Sequence, residues 1–322
     1  MLPNYLAVSG KTRQNDLDVA FTISINPGAS TTEAGKQSSQ QENRQAFLTI
    51  GDASWGSVKL GKDLGIYASD AILNDMTLLG VGNGAGALAG NTTTLGRIGG
   101  GFIYADWKAQ IAYTSPNWNG FQFTAGVTQA FNTQGTLATT LRGGAEPAYE
   151  GKVSYAFTAD QVTGKVWASG ISQNVQLTAN TDDRASAWDI GANVNVAGFG
   201  LTGYYGQGEG LGTVVQFNNG YTAGGVARDS KDWYVQGTYT VPTIGTKLGL
   251  SYGESTLDGQ TADTFNETSR EQWTVGAYHP ITKSVNLVAE YTNLDSNVDS
   301  KTAGASTSVS SRTVSLGAIL FF

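Results

Sequence analysis

Apolar and polar residues alternate with a period of two along most of this chain, the signature of strands with one apolar face. The clearest hairpin runs from Tyr5 to Asn26. Leu6, Val8 and Gly10 share one face, with Ala7, Ser9, Lys11 and Arg13 opposite; Gln14-Asn15-Asp16 turns, and Leu17, Val19, Phe21, Ile23 and Ile25 alternate with Asp18, Ala20, Thr22, Ser24 and Asn26. Nine residues at strand rise span roughly 30 Å, and tilted by about 45° they cover most of an outer-membrane apolar band. From Asn43 to Asp63 two further short strands stand back to back around Gly51-Asp52-Ala53-Ser54. Then, from Leu64 to about Tyr104, the alternation stops and glycine dominates. A stretch that long without strands is either disordered or functional.

Beyond it the pattern resumes. Lys108–Thr114 answers Phe121–Ala130 across Ser115–Gly120. Tyr149–Thr158 answers Val162–Ile171, Ser186–Val196 answers Phe199–Gly206, Trp233–Val241 answers Lys247–Glu254, and Gln272–Tyr278 answers Val285–Asn293. Arg312–Phe322 ends the chain. Longer polar stretches separate these hairpins: 27–42, 131–148, 172–185, 207–231, 255–270 and 295–311. Short turns thus alternate with long loops, as they do where one side of a barrel faces a periplasm and the other the outside. The second face of each strand carries Thr, Ser, Gly, Asn, Gln and charge. It cannot pack a dry core, but it can line water. Trp55, Trp107, Tyr113, Trp118, Tyr155, Trp233, Tyr239, Trp273 and Tyr291 fall at strand ends, where aromatic girdles lie. The pattern implies an all-β fold, a transmembrane antiparallel β-barrel occupying residues 1–322 as a single domain.

Composition agrees. Of 322 residues 43 are Gly, 6 Pro and none Cys, and 14% are charged. No apolar run is long enough for a spanning helix. The absence of cysteine leaves no disulfide framework and no thiolate metal site. The N-terminus, MLPNYLAVSG, has no basic segment followed by an apolar one; for an exported protein this implies a mature form or a fragment. A net charge of −7 argues against a nucleic-acid partner.

Four motifs make the chain resemble the general porins of proteobacterial outer membranes, the trimeric, sixteen-stranded kind. YLAVSGKTRQNDLDVAFTISIN is similar to the family's second hairpin. NRQAFLTIGDASWGSVKLGKD is similar to its fourth and fifth strands, and YADWKAQIAYTSPNWNGFQFTAGV to its sixth and seventh, with Trp118 where Phe is usual. The terminal Phe322 resembles the C-terminal Phe read by the barrel-assembly machinery. Fifteen strands are countable here, whereas sixteen are expected from the resemblance. Either the first strand belongs before Tyr5, or one is hidden within 64–104, for which RIGGGFIYADW is the candidate.

The resemblance implies that the loop of about 64–104 folds inward and constricts a channel. Ser69–Leu79 is expected to be a short helix capped by Ser69 or Asp70; Asp75 lies on it and Arg97 follows. Alternation places Lys11, Arg13, Lys59, Lys108, Lys152, Lys165 and Lys247 on the polar face, against Asp18, Glu150, Asp189 and Glu290. From these, the expected constriction and pore-lining residues are Lys11, Arg13, Asp18, Lys59, Asp70, Asp75, Arg97, Lys108, Lys247 and Glu290. Lys11, Arg13 and Lys59 are expected to form a basic wall facing Asp70 and Asp75. Such a transverse field favours dipolar solutes and implies a mild anion preference.

The expected function is an outer-membrane porin passing small hydrophilic solutes and ions, a homotrimer among outer-membrane lipid and lipopolysaccharide, with no cofactor. Two alternatives stay open. A substrate-selective organic-anion channel would show an aromatic slide, for which Trp167, Tyr204 and Tyr234 are the inward candidates. A structural or adhesive surface barrel would show long repetitive loops. An enzyme is not expected: the single His279 starts a turn, and no Gly-x-Ser-x-Gly elbow accompanies it. Gly80–Gly90 lacks the spacing of a dinucleotide loop. Asp182-Asp183 and Asp295/Asp299 are read as solvated loop charges rather than calcium ligands.

Overall fold

The computed structural model describes residues 1–28, 41–84, 93–135, 141, 143, 146–178 and 180–322. The first hairpin forms as its alternation dictates: β1 (Leu6–Gln14) pairs with β2 (Leu17–Pro27) from Leu6↔Ile25 to Gln14↔Leu17. Asn15 and Asp16 take φ of 48° and 62°, the left-handed pair of a type I′ turn, whose twist matches that of the strands. A two-residue β3 (Gln41–Glu42) adds to β2. β4 (Ala46–Asp52) and β5 (Gly56–Leu64) follow, then a short helix α1 (Ser69–Asn74) and a 3-10 turn (Met76–Leu79). The remaining strands are β6 (Trp107–Thr114), β7 (Phe121–Thr128), β8 (Ala148–Ala159), β9 (Val162–Gln176), β10 (Asp182–Val196), β11 (Phe199–Glu209), β12 (Asp229–Thr240), β13 (Lys247–Asp258), β14 (Phe265–Pro280), β15 (Val285–Ser300) and β16 (Thr307–Leu320).

Apart from β3, every strand pairs antiparallel with its chain neighbour, so the sheet runs β1-β2-β4 and on in order to β16. The sixteenth strand is therefore the short β3. RIGGGFIYADW contributes only isolated bridges before β6 opens at Trp107; its three consecutive glycines suit a backbone folded on itself better than a ladder. Among the described residues β1 and β16 share no pairing.

Several strands outrun their expected ends. β14 starts at Phe265 and β15 reaches Ser300, so the loops expected at 255–270 and 295–311 shrink to 259–264 and 301–306. Likewise 172–185 shrinks to 177–181. The reason is that Glu267–Glu271, and Asp295–Asp299 apart from Val298, are polar on both faces, which erases the period-two signal without weakening the backbone ladder. The 27–42 loop and the Gly80–Gly90 run lie largely or partly outside the described residues.

The two faces differ as the alternation requires. Val8, Ile111, Val166, Ile190, Leu201, Val235, Leu250, Val275 and Leu316 are exposed on one face. Two rows of aromatic rings border that apolar face. Trp118 stacks on Phe121, and Phe199 meets Tyr239, on the short-turn side; Trp188–Tyr205, Trp233–Tyr252 and Trp273–Tyr291 pair towards the long loops. The opposite face carries buried Ser, Thr, Gln, Asp and Glu side chains, and two apolar clusters form there only because chain segments outside the strands pack onto it.

Candidate functional site

The segment 65–106 lies against the polar face of the sheet, held by two wall carboxylates. At its root Glu150 of β8 accepts the backbone N–H groups of Ile66 (2.8 Å) and Tyr67 (2.9 Å). The same carboxylate accepts Thr128 Oγ1 (2.7 Å) and Lys108 Nζ (2.6 Å), and the Lys108–Glu150 pair is fully buried. Further along, Glu290 of β15 accepts the N–H groups of Val81 and Gly82, both at 2.7 Å, and the Tyr278 hydroxyl at 2.6 Å. A carboxylate facing two adjacent amides forms strong charge-assisted hydrogen bonds. β8 and β15 lie seven strands apart in the sheet order, so the segment is strung across the interior between them.

Neutral contacts fill the span. Tyr234 donates to Ala71 O (2.9 Å), Gln236 bonds both Asn74 O and Met76 N, and Gln272 donates to Gly96 O (2.8 Å). Arg97, wholly buried, donates to Gly100 O, Gln272 O and Ser251 Oγ. Gly101 takes φ of 141° against Tyr234, a position that only glycine occupies without strain.

The expected single helix is broken. α1 ends at Asn74, and Asp75 turns extended to cap the 3-10 turn, accepting Thr77 N (3.0 Å) and Thr77 Oγ1 (2.5 Å). An Asp that bonds the backbone two residues on competes with helix continuation. Neither Ser69 nor Asp70 caps α1: the N-cap is Ala68 at φ 60°, while Ser69 donates to Ile66 O.

The charges are distributed differently from the expected wall. Asp70, buried on α1, is held by Lys152 of β8 (3.1 Å) and Lys165 of β9, both of which remain partly exposed. Burial by itself pushes the Asp70 carboxyl up; Lys152 and Lys165 outweigh it and hold it below the ordinary carboxylate value. Arg13 instead binds Asp18 (2.9 Å) and Asp52 (2.8 Å) beside the short turns. Lys59 pairs with Asp63 one helical turn's worth of sequence away, and Lys11 is exposed. Asp75 faces Thr77, and burial raises its carboxyl. The expected group of Lys11, Arg13 and Lys59 opposite Asp70 and Asp75 is thus not brought together. The helix follows the β8–β9 wall because Glu150 and Ser169 bind Ile66, Tyr67 and Ala68 immediately before it. Of the remaining expected residues, Glu290 anchors the segment, Lys108 pairs with the anchoring Glu150, and Lys247 is half-buried on β13.

Alternation had placed Lys152, Lys165 and Glu150 on the polar face, but the meeting of the two lysines with Asp70 depends on where the segment lies, which no periodicity reports. Trp167, Tyr204 and Tyr234 do face inward, where they pack with Phe102, Ile72 and Ile98 of the segment. Phe102 meets Tyr204 edge-on at 6.4 Å and Tyr234 at 5.8 Å. Among the described residues no group of three or more His, Cys, Asp or Glu is set to hold a metal. Asp182 receives Asn174, and Asp299 receives Asn266 and Ser306.

The fold has known counterparts. The family model for Gram-negative porins matches residues 4–299. No curated protein matches the sequence. Among solved structures, the outer membrane channel DcaP of Acinetobacter baumannii is similar with a TM-score of 0.73 and 17% identity, over 99% of this chain and 85% of that one. The anion-selective porin from Comamonas acidovorans has a TM-score of 0.61 and 16% identity, over 99% and 90%. The trimer form of OmpT, an outer membrane protein of Vibrio cholerae, has a TM-score of 0.57 and 15% identity, over 98% and 88%. A sheet of membrane-length antiparallel strands, a polar inner face, an aromatic-bordered apolar outer face and a family match over most of the sequence agree: this chain belongs to the Gram-negative porins and forms a diffusion channel of the bacterial outer membrane.

Proposed function

We propose that solutes and ions pass the barrel by diffusion and are filtered where the 65–106 segment narrows it, with Asp70, Lys152 and Lys165 as the charged elements of that filter. The observation that carries this is the contact of one acidic group on the segment with two partly exposed lysines on the wall. Two cations against one anion leave a local positive excess, although the whole chain is −7. A permeating ion in a narrow water-filled passage with low-dielectric walls feels this nearby field far more than charges across the molecule. The expectation is passage of small hydrophilic solutes with a mild anion preference. Residues 1–322 act as one domain, and the working form is a homotrimer; the trimer form of the similar OmpT supports the latter.

An aromatic slide along the lumen would favour the organic-anion alternative. Trp167, Tyr204 and Tyr234 are only 3%, 5% and 0% exposed, which favours the general-diffusion reading. The test is the zero-current potential in a planar bilayer under a salt gradient. Wild type is expected to favour anions. Lys152→Ala with Lys165→Ala is expected to move the potential towards cations. An unmoved potential in a conducting double variant rules out this filter.

A further inference from the structure

The segment 210–228, between β11 and β12, reads in the sequence as a polar outer loop. In the structure it is buried. Leu211, Val214, Phe217 and Tyr221 are all nearly or fully covered. Leu211, Phe217 and Tyr221 pack with Tyr67, Ile103 and Ile171, and Val214 packs with Ile72, Ile98 and Tyr234. The loop is therefore folded inside the wall and onto the 65–106 segment. Backbone contacts join the two directly. Tyr104 donates its N–H to Val214 O (2.9 Å), Tyr104 and Val215 form a parallel bridge, and Gln216 Nε2 donates to Tyr104 O (3.2 Å) and Ala105 O (3.1 Å). On its other side Gln134, after β7, exchanges backbone hydrogen bonds with Phe217 and Asn219.

A specific device holds the loop there. Arg228 forms a two-pronged ion pair with Asp263, in the loop between β13 and β14: Nη2 to Oδ1 at 2.7 Å and Nε to Oδ2 at 2.8 Å. Its Nη1 donates to the carbonyls of Asn219 (2.7 Å) and Tyr221 (2.8 Å) within the loop. One guanidinium thus closes the loop on itself and ties it to a neighbouring hairpin, a use of the planar fork that lysine cannot reproduce. Val214 meanwhile sits at φ 72°, a conformation a β-branched residue adopts only when its surroundings impose it.

We propose that the 210–228 loop is a second size-determining layer of the channel, laid over the 65–106 segment and fixed by the Arg228–Asp263 clamp. The proposal rests on the reading of the chain as a diffusion channel. Solutes then meet two layers in series, and the limiting width belongs to both. Replacing 212–226 by a short Gly-Ser linker is expected to raise single-channel conductance by about twofold or more, as a wider aqueous path gives. In liposome swelling the variant is also expected to admit larger neutral sugars than wild type does. A folded variant with unchanged conductance and an unchanged sugar limit overturns the proposal.

A second variant addresses loss of folding. The chain has no cysteine, so Tyr104→Cys with Val215→Cys creates one candidate disulfide. With the loop at rest on the segment, oxidation forms the bond and leaves conductance as it was. Failure to form the bond, or a conductance that falls on oxidation, places the resting loop elsewhere and overturns the proposal. A wild type that folds but carries no current overturns the channel reading itself, and is distinguishable because no variant is involved.

Discussion

At the scale of the residue, Asp70 is where sign and magnitude are most directly testable. It screens Lys152 and Lys165, so Asp70→Asn is expected to leave a more positive filter and a stronger anion preference, read as a larger zero-current potential under the same salt gradient. Acid should reproduce the substitution, but late. A carboxyl held below its ordinary value keeps its stabilising contacts above about pH 3.9 and loses them as the pH falls through the depressed value. The lowered Asp70 carboxyl therefore stays charged through mildly acidic solution. The expected outcome is a difference between wild type and Asp70→Asn that persists down to about pH 4 and closes only below it; convergence near pH 6 would show that Asp70 is not held by the lysines. The basic partners of Asp70 were each legible as polar-face lysines. The choice of Lys152 and Lys165 over Lys11, Arg13 and Lys59 was not. It depends on a separation of more than 80 residues in sequence collapsing to hydrogen-bond distance.

At the scale of the element, the 65–106 segment is held both by wall side chains that bond its backbone and by its own Asp70, Arg97 and Phe102. Glu150 is the anchor with the largest consequence. Removing it orphans the amides of Ile66 and Tyr67 and leaves Lys108 a buried unpaired cation. Breaking one partner of a buried pair typically costs about 3–5 kcal/mol. Glu150→Ala is therefore expected to lower stability by that order in urea titration of the folded barrel, and Lys108→Met in the same background to recover part of the loss. A loss well under 1 kcal/mol would mean that the pair is solvated in the working protein. Strand existence was readable from alternation nearly everywhere, while strand ends were not. β14 and β15 run past the apolar band into positions that are mostly polar on both faces. There the ladder continues on backbone hydrogen bonds alone, and the sequence carries no face-specific signal.

At the scale of the whole molecule, the fold turns inside out relative to a soluble barrel: apolar side chains outward, polar ones inward. Neighbouring positions on one strand should then respond oppositely to charge. Leu250 of β13 is 57% exposed on the apolar face, while Ser251 beside it is buried on the polar face. Leu250→Arg is expected to destabilise the barrel in lipid by about 2–4 kcal/mol, the cost near the bilayer midplane. Equal stability of Leu250→Arg and wild type in lipid would contradict this orientation. The aromatic rows fix the limits of the same band: Trp188–Tyr205, Trp233–Tyr252 and Trp273–Tyr291 lie on the long-loop side, and Phe199–Tyr239 on the other.

Local alternation, turn residues and composition by themselves determined the membrane barrel, the hairpin order, the outward face and the presence of one long stretch without strands, whose inward folding only the family resemblance implied. These follow from interactions between residues near in sequence or from the solvent each face must meet, and both leave a periodic trace. Only the tertiary structure decided which lysines meet Asp70, that Glu150 and Glu290 carry the segment, and that 210–228 folds inside rather than out. Those contacts join residues from distant strands through backbone amides and single side chains. A Gly-rich loop with a few scattered apolar residues reads the same whether it lies in water or against a wall. Its location is chosen by the burial of Leu211, Val214, Phe217 and Tyr221, for which the matching surface exists only once the sheet has curved around it.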